Sequence, residues 1–180
     1  MKKQNILLRG ISIALFGTLL LLASCKAQPS KVDIHTAVMT GNIDAFKQCM
    51  AGRASLNEKE PMGGSSPLIS ACLFGRTEMA KALIDAGADI NFQNNDGSTA
   101  LHTAAFFCRP DIVRLLLAAG ASKTIKNKYD QTAYELVNAP FASVKPVYDA
   151  LGKILAPTGL TLDYPYIEKT RPLVASILQQ

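Results

Sequence analysis

Side chains able to perform catalytic or metal chemistry are scarce in this 180-residue sequence. The candidates for a base, a nucleophile or a metal ligand are two histidines, His35 and His102, and four cysteines. Such chemistry needs a second ligand or a paired base at a workable spacing, and neither histidine has one. A glycine-rich phosphate loop, a metal-binding cysteine pair and a Ser/His/Asp order are missing from the sequence. We therefore predict no enzyme activity, no catalytic residues, no metal and no cofactor.

Cys25 differs from the other cysteines because of the residues before it. A basic start at Lys2 and Lys3 precedes an apolar run over residues 11–22, and the tetrad Leu22-Ala23-Ser24-Cys25 follows. This tetrad resembles the lipobox of bacterial lipoproteins. The resemblance implies a signal peptide over residues 1–24, acylation of Cys25 as the mature N-terminus, and a tether over 25–31. Several acyl chains, such as palmitate, are needed for a stable anchor.

Two other interpretations of this leader remain open. The first is an uncleaved membrane anchor, but a longer apolar run would place Arg9 inside the hydrocarbon, where a charge is costly. The second is a plain secretory signal that happens to precede Cys25. By resemblance to enterobacterial lipoproteins, Lys26 in place of aspartate favours the outer over the inner membrane. We expect an exported protein, lipid-anchored to the bacterial envelope on its periplasmic side.

The net charge of +5 is concentrated in this leader. Without Lys2, Lys3 and Arg9, the remaining chain has 16 basic and 14 acidic residues, and the basic ones are dispersed. This is too little positive charge to neutralise a run of phosphates, so we predict that nucleic acid is not a partner.

An internal repeat organises the rest of the chain. One tripeptide pattern recurs at steps of 33 residues, as Ser66-Pro67-Leu68, Thr99-Ala100-Leu101 and Thr132-Ala133-Tyr134. A Gly-Ala pair recurs at the same step, at residues 87–88 and 120–121. An earlier copy of the whole repeat begins at Asp33. A fixed period of this length predicts stacked supersecondary units, because each unit is too small to bury its own apolar face.

These segments resemble the ankyrin repeat, most clearly over residues 96–105 and 112–121. The likeness covers roughly residues 31–139. It implies an all-α ankyrin-repeat solenoid of about four helix-turn-helix repeats over residues 32–139, with a helical C-terminal cap over 140–180. The residue types agree: Thr99 and Asp111 are placed to cap helices, and Gly87 and Gly120 fall where a positive φ ends one.

Three residues depart from this pattern, since Arg53, Cys108 and Asp130 stand where other copies have glycine. Aspartate tolerates a left-handed backbone better than cysteine or arginine does. We therefore expect disturbed local geometry at Arg53 and Cys108.

Beyond residue 138 the period stops, and helical patterns of another kind follow. Residues 144–155 predict an amphipathic helix whose apolar side carries Val147, Leu151, Ile154 and Leu155. A second helical region over 164–178 is expected to split at Pro172. This tail most simply caps the stack, and a separate binding element is the alternative.

The resemblance also assigns structural roles to several reactive residues. His35 and His102 occupy the repeat's own histidine position, where the side chain hydrogen-bonds backbone near the loops. Cys49 and Cys72 match core positions in register. We expect no required disulfide among Cys49, Cys72 and Cys108, with a bridge from Cys72 to Cys108 as the alternative.

The residues that follow the alanine pairs form a possible binding stripe. In ankyrin stacks these positions face the concave groove, beside the loop tips. The predicted protein-binding residues are Leu73, Phe74, Asn95, Asp96, Phe106, Phe107, Lys128 and Tyr129. Core packing is the competing interpretation, above all for Leu73 and Phe106. An exposed aromatic patch commonly marks a partner site.

We predict a monomer that binds a protein partner of unknown identity. An immunity protein or an inhibitor of a toxin or enzyme is the alternative, because the same groove could fill a catalytic cleft.

Overall fold

The computed structural model of the protein describes residues 32–52 and 54–180, and within this part the regular structure is entirely helical. The prediction of an all-α fold is confirmed. The predictions for the signal peptide, Cys25 and the tether, and that for Arg53, concern residues outside the described part. The helices are α1 (Ile34–Thr40), α2 (Ile43–Ala51), α3 (Pro67–Leu73), α4 (Thr77–Asp85), α5 (Ala100–Phe106), α6 (Pro110–Ala118), α7 (Ala133–Asn138), α8 (Phe141–Leu155) and α9 (Tyr164–Gln179), with a 3₁₀ turn at Ala156–Thr158.

The helices pair and stack in chain order, which confirms the helical solenoid. Within each of the first three repeats the two helices pack together, as α1 with α2, α3 with α4, and α5 with α6. The first helices α1, α3, α5 and α7 contact one another in sequence, and α4 packs against α6. Leu68 and Leu101 of the first helices and Leu116 of the second are fully buried. Burial between neighbours therefore stabilises helices that are too short to be stable alone.

Each first helix begins at a side-chain cap one repeat from the next. The capping residues are Asp33, Ser66, Thr99 and Thr132, and in each the side-chain oxygen accepts a hydrogen bond from the amide three residues on. The second helices are less uniform, because Asn42 caps α2 in the same way, whereas α4 and α6 begin after arginines that make no side-chain capping bond. The predicted cap at Asp111 is wrong. Helix α6 already starts at Pro110, so Asp111 lies inside its first turn and pairs with Arg114 at 3.2 Å.

The backbone keeps the repeat geometry even where glycine is replaced. Gly87 and Gly120 have φ values of 87° and 88°, as predicted. Cys108 and Asp130 also adopt left-handed conformations, with φ values of 52° and 57°. The expected disturbance at Cys108 is therefore absent, since the packing of the repeat imposes the turn on a residue that does not favour it.

The fourth repeat is completed from further along the chain. Its first helix is α7, and α9 packs against both α6 and α7, which is the position of a second helix. The predicted split at Pro172 is wrong, because α9 is continuous from Tyr164 to Gln179. Pro172 and Glu168 both lie on the exposed side, where water can hydrogen-bond the carbonyl that proline leaves free.

Helix α8 lies between α7 and α9 in the chain, and its predicted apolar side is right only in part, since Leu151 and Leu155 are half-buried. Val147 and Ile154 are 49% and 61% exposed. The helix instead turns Tyr148 into the protein, flanked by the partly buried Phe141 and Val144. A tyrosine buries more surface than a valine, and here its hydroxyl also finds hydrogen-bond partners.

Candidate protein-binding surface

Three loops, here called fingers, lead into α3, α5 and α7 and form one continuous row. The first finger comprises residues 58–65, the second 91–98 and the third 124–131. The Asn95 amide donates to the Gly63 carbonyl, and the Lys128 amide donates to the Asp96 carbonyl, both at 2.9 Å. These backbone bonds join each fingertip to the next, so the three tips form one linked row.

Within each finger, one side chain accepts hydrogen bonds from several backbone amides and so braces the loop. Asn94 Oδ1 accepts from Asp96 and Ser98, at 3.0 and 2.9 Å. Asn127 Oδ1 does the same for Tyr129 and Gln131, at 2.9 and 3.1 Å. Such bonds replace the water that these amides would otherwise need, and they hold the tips in one conformation.

The first finger uses a carboxylate for the same purpose. Glu60 accepts the amides of Met62, Gly63 and Ser65 at 2.6, 2.5 and 3.2 Å. Burial opposes ionisation of Glu60, but these amides outweigh it and hold its pKa below the ordinary value of 4.5. The loop is therefore organised around an ionised side chain at neutral pH.

The tips present large apolar side chains to solvent. Met62 on the first finger is 85% exposed, and Tyr129 on the third is 70% exposed. The predicted residues Asn95, Asp96 and Lys128 are exposed beside them. Sequence reasoning missed Met62, although it precedes Asn95 by the same 33 residues that separate Asn95 from Lys128. The structure thus brings the predicted loop residues together on one edge.

A shallow cleft of about 490 Å³ lies between the second and third fingers. Its walls are polar and include Gln93, Asn95, Lys126 and Lys128. Lys126 is engaged by Asp130 at 3.0 Å, whereas Lys128 extends from the adjoining tip. The cleft offers amide and ammonium donors beside the exposed Tyr129 ring.

The aromatic half of the predicted stripe is placed differently. Leu73 and Phe74 are half-buried, but Phe107 is only 7% exposed. The Phe106 ring stacks on Tyr148 of α8, with centroids 4.3 Å apart and planes 20° apart, and meets Phe107 edge-on. Phe106 and Phe107 therefore do not line an open groove as the sequence suggested, because Phe107 is buried and Tyr148 of α8 packs over the face of Phe106.

Tyr148 is held by a buried polar network. Its hydroxyl donates to the Phe106 carbonyl at 2.5 Å and accepts from Arg171 Nη1 at 3.0 Å. Arg171 Nη2 also donates to the Leu136 and Ala139 carbonyls, at 2.9 and 2.7 Å. Burial raises the pKa of the Tyr148 hydroxyl, which keeps it protonated and able to donate. Sequence reasoning missed both residues, which lie outside the period.

Both histidines contact backbone. His102 Nδ1 accepts the Thr99 amide at 3.2 Å, so Nε2 carries the proton and donates to the Gln131 carbonyl at 3.1 Å. Burial lowers the pKa of His102 below 6.5, which keeps the ring neutral. His35 Nε2 lies 3.1 Å from the Glu58 carbonyl. Among the described residues, no group of three potential ligands is placed to hold a metal ion.

Cys49, Cys72 and Cys108 are buried free thiols. Burial raises the pKa of Cys108 to about 11, and it raises that of Cys72 further. The reactive thiolate is therefore rare at both positions at neutral pH. In the part of the chain that the structure describes, no helix has the length and apolar character needed to cross a membrane.

The sequence of this chain matches that of a known protein family. The sequence pattern described as "Ankyrin repeats (3 copies)" matches residues 34–127, which is just over half of the chain. The chain belongs to the ankyrin-repeat family. Ankyrin repeats are modules of protein–protein interaction, which is the general function that this membership indicates.

The relatives of this ankyrin-repeat protein are similar to it over short regions. Inversin from Gallus gallus is 36% identical over 71 residues, which cover 38% of this chain and 6% of inversin. "Protein phosphatase 1 regulatory subunit 27" from Homo sapiens is 34% identical over 64 residues, 36% of this chain and 41% of that protein. The chain therefore spans less than half the length of these relatives.

A solved structure is also similar to part of this chain. The crystal structure of the ankyrin repeat domain of Bcl-3 matches with a TM-score of 0.55 and 30% sequence identity. The match covers 57% of this chain and 45% of that one.

Proposed function

We propose that this ankyrin-repeat protein binds a partner protein along the row of fingers, on the periplasmic side of a bacterial envelope, where the lipid on Cys25 anchors it. The protein acts as a monomeric adaptor in this proposal. The exposed Met62 and Tyr129 side chains at the two ends of the row carry it. Large apolar side chains left in water on a braced edge favour a partner that covers them.

The rigidity of the row also supports binding. The fingertips are linked by backbone hydrogen bonds, and Asn94 and Asn127 hold the second and third tips. A partner that meets a preorganised edge loses less conformational entropy than one that must order flexible loops. The half-buried Leu73 and Phe74 extend the apolar surface in this proposal.

The envelope location rests on the residues at the start of the sequence. A basic start, an apolar run and the tetrad ending in Cys25 form a pattern typical of an exported lipoprotein. The described domain begins at Val32, so the segment from Cys25 to Lys31 would join lipid and domain. Because Lys26 follows the cysteine, the outer membrane is the proposed destination.

The binding proposal is tested with the double variant Met62→Ser/Tyr129→Ser. It should lose any envelope protein that co-purifies with the unmodified chain after cross-linking in cells, while the melting temperature stays unchanged. The matched control is Val147→Ser/Leu173→Ser, which removes two exposed apolar side chains elsewhere. Equal recovery from both variants would exclude the fingers as the binding edge.

The anchoring proposal is tested with Cys25→Ser. Cells fed labelled palmitate should label the unmodified protein and not the variant, and the variant should leave the membrane fraction. Undiminished membrane association of Cys25→Ser would exclude the lipid anchor and favour an uncleaved apolar segment.

A further inference from the structure

Helix α8 buries little of its own surface against the rest of the protein. Of its fifteen residues only Tyr148 is buried, whereas the sixteen-residue α9 buries seven. Pro140 precedes the helix, Pro146 lies inside it, and the turn after it ends at Gly159 with a φ of 80°. A segment with so few buried contacts opens more readily than its neighbours.

At the earlier repeats, an arginine and not a tyrosine donates to the carbonyl that corresponds to that of Phe106. At the first junction Arg76 Nη2 donates to the Met39 carbonyl at 3.0 Å, and at the second Arg109 Nη2 donates to the Leu73 carbonyl at 3.4 Å. Phe106 is the equivalent residue at the third junction. The next residue in the arginine register is Ala142, which has no donor to offer. The Tyr148 hydroxyl supplies the missing donor.

Tyr148 is not the only hydrogen-bond partner of Arg171. The same guanidinium also donates to the carbonyls of Leu136 and Ala139 at the end of α7. Removing Tyr148 would uncover the face of the Phe106 ring, the Phe106 carbonyl and Arg171 Nη1. A hydroxyl satisfies both, because its one oxygen can donate to the carbonyl and accept from the guanidinium. A phenol hydroxyl on a flat ring meets this requirement.

We propose that α8 is a built-in occupant of a tyrosine-recognising docking site, and that a partner segment carrying a tyrosine binds there when α8 opens. The inference rests on the proposed function only in assuming a protein partner, since the site is distinct from the row of fingers. The chain's own α8 shows the kind of ligand that fits, which is a helical segment with an inward-facing tyrosine. Opening of α8 would then control access to the site.

The first test is native-state hydrogen exchange on the full chain. Amides in the second half of α8 should exchange through an opening at least tenfold more populated than the one that releases α5, α7 and α9. Equal protection of α8 and α9 would mean that α8 opens only with global unfolding, which would overturn the proposal. This test needs no substitution and no partner.

The second test supplies the ligand in trans. A fluorescent peptide with the sequence of residues 140–157 should bind full-chain Tyr148→Ser at least tenfold more tightly than it binds the unmodified chain, where α8 competes. Replacing the peptide's tyrosine by alanine should abolish binding, and replacing it by phenylalanine should weaken it.

The matched control peptide carries serine in place of Val147, which faces solvent in the intact helix, and it should bind as well as the original. Equal binding of the tyrosine and alanine peptides, or equal binding to both proteins, would refute the site. If Tyr148→Ser fails to fold by circular dichroism, the hydrogen-exchange result decides. Neither assay depends on the fingers, so failure here and failure of the proposed function are separable.

Discussion

The first two junctions between repeats and the last one are closed by different chemistry. At the first two, an arginine at the start of a second helix donates to carbonyls at the end of the preceding first helix, as Arg76 does to Val38 and Met39. At the last, Tyr148 and Arg171 from outside the period make the equivalent bonds. The comparison shows that a carbonyl at a helix end must find a donor, whichever part of the chain supplies it.

The same comparison explains where glycine is needed. A Cβ at Gly41 would lie 2.8 Å from Cζ of Arg76, and one at Gly75 would lie 3.1 Å from Cζ of Arg109. Cys108 occupies the equivalent position at the last junction, with Ala142 instead of arginine in register. Its side chain is buried, and its thiol contacts the Ile167 carbonyl at 3.5 Å. A side chain is therefore accommodated where the arginine is missing.

The largest effect is expected from the core that all junctions share. Leu116→Ala should lower the free energy of unfolding by about 4 kcal/mol, because it removes a fully buried side chain and leaves a cavity. Urea titration followed by circular dichroism measures the loss. Leu115→Ala is the control, since the half-exposed neighbour should cost about 1 kcal/mol or less. Similar losses for the two would contradict the stacking.

The next largest effect is a difference in stability between arginine variants at the last and the first junction. Arg171→Ala should cost about 3 kcal/mol, because it leaves two carbonyls and the Tyr148 hydroxyl without their charged donor. Arg76→Ala should cost about 1 kcal/mol, since that side chain is half-exposed and water can replace it. The two values come from the same urea titration. A larger loss for Arg76→Ala would reverse the comparison.

Substitutions at the two equivalent left-handed positions, Gly75 and Cys108, should also differ in their effect on stability. Gly75→Ala should cost about 2 kcal/mol, from a left-handed conformation and from the displaced Arg109 guanidinium. Cys108→Gly should change the stability by less than about 1 kcal/mol, because relief of backbone strain offsets the loss of a small buried side chain. Thermal melts of both variants provide the measurement. A cost at Cys108 matching that at Gly75 would contradict the account.

The smallest effect concerns pH at the junction between the third repeat and the third finger. Burial lowers the pKa of His102 in the folded state, so the unfolded chain binds the proton more readily. Stability should therefore fall as the pH drops from 7 through the ordinary histidine pKa of 6.5 towards 5. His102→Gln should reduce this slope in urea titrations over the same range. An unchanged slope would assign the pH dependence to other groups.

The repeat stack could be predicted from the sequence because its signals are local and periodic. Ser66, Thr99 and Thr132 cap successive first helices in one register, and the buried Leu68 and Leu101 follow at the same spacing. The fingertip residues were predicted for the same reason, since Asn95 and Lys128 occupy equivalent positions in consecutive loops.

The tail could be predicted only in part, because its packing depends on distant residues. Val147 and Tyr148 lie near opposite edges of one broad apolar arc of α8, so the pattern alone cannot tell which of the two faces the protein. The sequence left core packing open as the alternative for Phe106, and it could not decide for that alternative because Tyr148, which stacks on the ring, lies outside the period. A weak signal was present in Ala142, which breaks the arginine register and implies a substitute donor.

The central claim, that the row of fingers is a protein-binding edge, is tested most directly by site-specific photo-cross-linking in the native cells. A cross-linking amino acid at position 62 or 129 of the full chain should give one discrete adduct with another protein. The same amino acid at exposed positions 81 and 173 should give none. Adducts at 81 or 173, with none at 62 and 129, would contradict the account.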